Sequence, residues 1–161
     1  MSYIHAEASR EIDARPEEVY ARLADYRVSH PAILPKPYFT EVAVEQGGQG
    51  AGTIVRVRMN VMGAQRAYRQ IVSEPQPGRV LMEADAAAGV TTTFTVEPLA
   101  GGQRCRVTIA TDAATRSGVM GWLEQLLTPT VMRRIYEKEL QQLATSVSGG
   151  PAPGNTESPT A

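Results

Sequence analysis

The stretch whose reading decides the fold is residues 117–147, SGVMGWLEQLLTPTVMRRIYEKELQQLATSV. At about 100° per residue, Val119, Met120, Trp122, Leu123, Leu126 and Leu127 fall on one stripe of an amphipathic helix. Val131, Met132, Ile135, Tyr136, Leu140, Leu143 and Val147 form a second stripe, rotated from the first by about 150° on the same ideal wheel. A straight helix cannot turn both stripes to one surface. Pro129 lies between them, lacks an N–H and clashes with the preceding turn, so a kink or short break is predicted at Thr128-Pro129. Thr128 then serves as N-cap and Pro129 as the first residue of the second half. Arg133, Arg134, Glu137, Lys138 and Glu139 read as the solvent face of that half. Arg133 and Glu137, one turn apart, make an ordinary surface pair.

Ahead of this helix, the pattern from Tyr38 onward is one of strands separated by turn residues. Apolar and polar residues alternate over 39–45, 53–62, 65–74, 79–84, 90–97 and 103–112. Gly63-Ala64 reads as a tight hairpin turn, and the sequence PQPG at 75–78, Gly89 and Ala100-Gly101-Gly102 as the later turns. Residues 3–13 form a further half-buried strand, with Ile4, Ala6, Ala8 and Ile12 on the inward phase and His5 on the outward one. Pro16, followed by Glu17 and Glu18, opens a helix whose apolar face is Val19, Tyr20, Leu23 and Ala24. Residues 28–34 add a short second helix, stopped by Pro35 and Pro37. Connections this short join antiparallel neighbours. The expected fold class is α+β: a seven-stranded antiparallel sheet around a long C-terminal helix, with two short helices between strands 1 and 2.

A chain of 161 residues, 42% hydrophobic, is enough for one packed domain, placed here at 1–147. Residues 148–161 are rich in Gly, Pro, Ser and Thr, have nothing to bury, and are expected to be a disordered tail. A net charge of −1 without a long basic cluster argues against a nucleic-acid partner. A single cysteine, Cys105, excludes an internal disulfide and a thiolate-cluster metal site; in an alternating strand it reads as a core residue. No apolar run approaches the ~18 residues of a membrane span and residues 1–7 lack a signal-peptide core, so no integral membrane association and a cytoplasmic location are expected. No metal or cofactor is expected. The sequence does not define an oligomeric state.

A sheet closed on one helix leaves space between them when the side chains are small, and this chain has only two Phe and one Trp. The succession of strand, two helices, six strands and long helix resembles the START/polyketide-cyclase (SRPBCC) superfamily, the helix-grip fold. Three segments carry the resemblance: residues 9–25, SREIDARPEEVYARLAD; residues 74–80, EPQPGRV; and Leu123, Leu126, Leu127 and Pro129 ahead of the RRIY run at 133–136. It covers residues 3–147. The resemblance implies a cavity between sheet and helix, in a superfamily that includes lipid carriers, metabolite binders and cyclases.

The expected function is binding of a hydrophobic small molecule, a lipid or polyketide-like metabolite, in that cavity. The alternative is an enzyme of the cyclase, aromatase or dehydratase type using the same space. A third reading, a protein-interaction module using the charged face at Arg133 and Arg134, has only an ordinary charged surface behind it. Met59, Phe94, Met120, Leu123 and Leu127 are the expected cavity walls. Candidate catalytic residues are His30, Tyr68, Arg69 and Glu124, with Glu83 and Asp85 also within reach of the cavity. Strand parity leaves open which of Tyr68 and Arg69 points inward. His30 falls in the second short helix, placed at the open end of the grip, with no Ser or Cys nucleophile motif beside it. The threonines at 91, 92, 93 and 95 favour a strand through β-branching. Gly48, Gly50 and Gly52 do not open a helix, which excludes a phosphate-cradling loop; a flexible loop gating the pocket mouth is the remaining expectation.

Overall fold

The computed structural model describes residues 3–115 and 119–148, without the side chains of residues 119–127. Strand β1 (Tyr3–Ile12) leads to helices α1 (Pro16–Ala24) and α2 (Ser29–Ile33). Strands β2 (Phe39–Gln46), β3 (Ile54–Val61), β4 (Ala64–Gln76), β5 (Val80–Asp85), β6 (Val90–Leu99) and β7 (Arg104–Ala114) follow, and helix α3 (Val119–Ser148) closes the chain. A short 3-10 turn at Ala100–Gly102 joins β6 to β7. All seven strands form one antiparallel sheet in the order β1-β7-β6-β5-β4-β3-β2. The seven strands, the two intervening helices and the terminal helix are thus those the alternation predicts.

Period-two patterning sets which face is covered. Val55 and Val57 on β3, Val72 on β4, Leu81 on β5, Phe94 and Val96 on β6, and Cys105, Val107 and Ile109 on β7 are all buried. Ile135, Tyr136, Leu140 and Leu143 of α3 join them in one core, together with Val19 and Leu23 of α1. Helix α3 packs mainly along the edge strand β1.

Three expectations are corrected. The β3–β4 hairpin turns on Met62-Gly63, one residue earlier than expected, because Val61 pairs with Ala64. Both turn residues have positive φ, 51° and 81°, the two-residue geometry whose twist matches the flanking strands. Helix α3 runs without interruption from Val119 to Ser148 with Pro129 inside it, so the chain does not break there and Thr128 caps no second helix. One missing N–H is outweighed by the core contacts of the helix on its C-terminal side. Glu139, expected on the solvent face with Arg133, Arg134, Glu137 and Lys138, is instead 2% exposed, while the other four are exposed. Its position explains this: Glu139 lies between Ile135 and Leu143 at i+4 spacing and one turn from Tyr136, in the middle of the apolar stripe.

The glycine loop ahead of β3 is a strap, with no residue on the cavity wall. Tyr26 N–H donates to the Gly48 carbonyl (2.9 Å) and Gly50 N–H to the Ala24 carbonyl (2.9 Å), tying the loop to the α1–α2 junction. Glu74 clamps it further, accepting from Ala51 N–H at 2.9 Å and from the Tyr20 hydroxyl at 2.6 Å. Gly50 has φ +55°, and a Cβ there would come within 2.6 Å of the Glu74 Oε2 that holds the loop. Gly50→Ala is therefore expected to lower the unfolding free energy by about 2 kcal/mol, from left-handed strain and a displaced clamp. Urea unfolding checks this; an unchanged midpoint would show that the strap is not stressed.

Candidate functional site

Sheet and α3 enclose a cavity of about 300 Å³. Its walls are largely apolar, with Val55, Val57, Met59 and Val61 from β3, Phe94 from β6, and Val131, Met132 and Ile135 from α3. Met62 of the hairpin tip, which is 82% exposed, Leu34 from the α2–β2 connection and Phe39 at the start of β2 mark its open side.

The other end is polar and buried, and it is built from five elements. Asp25 anchors it: its carboxylate accepts from the backbone N–H groups of Arg27, Val28 and Ser29 at 3.1–3.2 Å and from the Ser29 hydroxyl at 3.0 Å. Partial burial acts against the charge, but these hydrogen bonds prevail and hold the Asp25 carboxyl below its ordinary range. The Asp25 carbonyl also accepts from His30 N–H (2.8 Å), which fixes the start of α2. His30 is consequently 3% exposed, inside the molecule rather than at the open end where the sequence reading placed it.

Within this end the His30 ring stacks on Tyr26 (4.6 Å, 16°) and meets Phe94 edge-on (5.3 Å, 82°). His30 Nδ1 lies 2.7 Å from the Leu23 carbonyl oxygen. A carbonyl only accepts, so Nδ1 carries the hydrogen and Nε2 is the nitrogen turned towards two acids. Glu83 Oε1 is 3.6 Å from Nε2 and Glu139 Oε1 is 4.0 Å from it. Glu83 also accepts the Tyr26 hydroxyl at 2.7 Å. Alongside, Thr92 and Thr111 share a hydrogen bond of 2.7 Å, and Thr111 is bonded to the Tyr136 hydroxyl.

Burial, reinforced by the charge of Glu83, pushes the Glu139 carboxyl well above the carboxylate range. Burial and then the same carboxylate raise the Tyr26 phenol. Burial raises Tyr136 and Tyr68 too. The arrangement sets a carboxyl that burial biases towards its protonated form beside an imidazole nitrogen, out of contact with bulk water.

The residues singled out in the sequence divide as follows. Met59 and Phe94 line the cavity; the side chains of Met120, Leu123, Leu127 and Glu124 lie outside the described residues. His30 and Tyr68 both line it. Arg69 does not: it pairs opposite Arg56 on the outer face, where its Nε donates to Glu45 at 2.8 Å. Tyr68 and Gln70 are opposite the inward Val57 and Val55, which settles the parity. Glu83 reaches the cavity, whereas Asp85 is spent on backbone, accepting from Arg69 N–H (2.8 Å) and Ala88 N–H (3.0 Å). Cys105 is core, and His5 is on the surface against Asp112. The sequence reading missed Tyr26 and Glu139, and it set Tyr136 on the apolar stripe of the helix without assigning it to the site. For the last two the i, i+4 stripe was the available signal.

A seven-stranded antiparallel sheet closed by a C-terminal helix over a cavity defines a helix-grip protein. The chain belongs to the polyketide cyclase / dehydrase and lipid transport family, whose sequence model matches residues 3–148. It is similar to the solution structure of the KanY protein at 29% identity and a TM-score of 0.79, covering 92% of this chain and 100% of that one. It shares its fold with the Zhui aromatase/cyclase from Streptomyces sp. R1128, at 17% identity and a TM-score of 0.72, covering 91% and 94%. The same holds for norcoclaurine synthase from Thalictrum flavum, at 14% identity and a TM-score of 0.66, covering 94% and 90%. No curated protein matches the chain significantly. No helix among the described residues is long and apolar enough to cross a membrane.

The raised Glu139 carboxyl fixes a sign for pH dependence. The folded chain keeps this proton over a range where the unfolded chain has released it. Stability tied to Glu139 is therefore full below the unfolded value of about 4.3 and is lost as pH rises towards the folded value. Glu139→Gln is expected to gain on the wild type between about pH 5 and pH 7, with a limiting slope of about 1.4 kcal/mol per pH unit. Urea unfolding of both proteins across that range checks this, and a gap that does not change with pH would refute it.

Proposed function

We propose that this protein binds a small molecule of mainly apolar surface in the cavity between the sheet and α3. The observation that carries the reading is the cavity itself: about 300 Å³, apolar walls, an open side at the β3–β4 hairpin and a few converging polar groups at the buried end. That is the make-up of a small-molecule site. Met59 and Phe94 are the wall residues proposed to touch the ligand. Native mass spectrometry of protein purified without detergent, followed by organic extraction, should reveal an apolar adduct. Met59→Trp, which fills the cavity from β3, should abolish the adduct with the fold intact by circular dichroism. Adduct mass retained by Met59→Trp would place the ligand elsewhere.

A second reading, favoured by the convergence of His30, Glu83 and Glu139, is proton transfer on the bound molecule, in an enzyme of the cyclase, aromatase or dehydratase type. The family description and the aromatase/cyclase and norcoclaurine synthase likenesses support it. In this reading His30 Nε2 is the base and Glu139 the acid, and the apolar walls hold a flexible chain in a reactive shape. With a linear poly-β-ketone thioester analogue as substrate, turnover appears as loss of the mass of water. His30→Gln is then expected to lower kcat by about a hundredfold or more while changing ligand affinity only a few-fold. Equal loss of both would assign His30 to binding alone.

A further inference from the structure

Deepening the cavity reading, on which it rests, we infer that Glu139 and His30 together form a recognition point for an uncharged oxygen group, so that the cavity takes aromatic or polyketone molecules and rejects carboxylates. The first observation is an atom without a partner. Oε1 of Glu139 is fully buried and makes no hydrogen bond among the described residues, whereas buried polar atoms in native proteins are almost always bonded. His30 Nε2, at 4.0 Å, is too far for a direct bond. A third atom, an oxygen about 2.8 Å from each, would bridge that separation once the neighbouring side chains shift to admit it.

Charge decides which oxygen. The groups facing Glu139 are Tyr26 from the α1–α2 junction, His30 from α2, Glu83 from β5, the threonines from β6 and β7, and Tyr136 from its own helix. Among the described residues no Lys or Arg is with them; Arg66, which lines the cavity, is on the exposed outer part of β4 near the hairpin. A carboxylate brought to this end would be desolvated beside two acids with no lysine or arginine to offset it. A ketone, phenol or enol meets no such cost. It accepts from the protonated Glu139, and where it carries an O–H it donates to His30 Nε2. The flat surface beside it, Tyr26 on His30 with Phe94 at the edge, favours a ring or a conjugated ketone over a saturated chain.

The test uses three probes of one shape, titrated by fluorescence at neutral pH: acetylnaphthalene, ethylnaphthalene and naphthoate. The wild type is expected to bind the ketone about tenfold more tightly than the ethyl analogue, and naphthoate most weakly. Glu139→Gln, whose amide also donates, should keep the ketone preference. Glu139→Leu should erase it while binding ethylnaphthalene at least as well as the wild type does. Should Glu139→Leu not fold, as judged by its melting curve, Glu139→Gln still decides, because loss of the preference in that variant overturns the inference. Naphthoate bound best, or the two neutral probes bound equally by the wild type, would also overturn it while leaving the cavity reading intact. Failure of all three probes to bind would refute the cavity reading and this inference together.

Discussion

A single antiparallel sheet has one face that must be kept from water, and here α3 covers it. Ile135, Tyr136, Leu140 and Leu143 pack into the core formed by the inward residues of β3 to β7. A cylinder about 10 Å across cannot fill the whole concave side of a sheet. Where the facing side chains are valines rather than larger residues, the remainder stays open. The cavity is thus a by-product of covering the sheet with one helix, and the chain has furnished it with polar groups at its deep end.

That deep end is costly. A carboxyl removed from water either finds partners or is pushed towards its protonated form, and burial pushes Glu139 well above the carboxylate range. The neighbours that share this space are held from outside it. Asp25 fixes the turn that delivers Tyr26 and His30, and the glycine strap presses on the same turn through Gly48 and Gly50. Gly48 has φ +132°, strained for any other residue, and a Cβ there would displace the Arg27 side chain, whose Nε would be 2.4 Å away. Backbone geometry distant from the cavity therefore determines where the imidazole sits.

The fold was legible because it rests on periodicity. Seven strands and three helices announce themselves through alternation, helical stripes and turn residues, and the starts and ends differ from expectation by a few residues at most. The site was legible only in part. Strand parity could not choose between Tyr68 and Arg69, because the choice depends on the register with β3, a contact distant in sequence. Glu139 was set among surface charges because acids are rarely buried. Its place on the wheel, between Ile135 and Leu143, pointed inward all along. When residue type and position disagree in this way, the position deserves more weight, since such conflicts concentrate where a protein trades stability for function. Pro129 taught the opposite lesson, for local propensity argued for a kink or a break, and packing carries the helix through it without a break.

The two ends of the cavity are attached to the molecule in different ways. Tyr26, His30, Glu83 and Glu139 are embedded among core residues, so an exchange at any of them disturbs the scaffold as well as the chemistry. Met62 and Gly63, by contrast, cap a hairpin that projects into solvent. Mutations there carry little folding penalty. Over generations the entrance is free to diversify while the interior stays put. Change at the mouth is thus separable from change at the buried acid and imidazole.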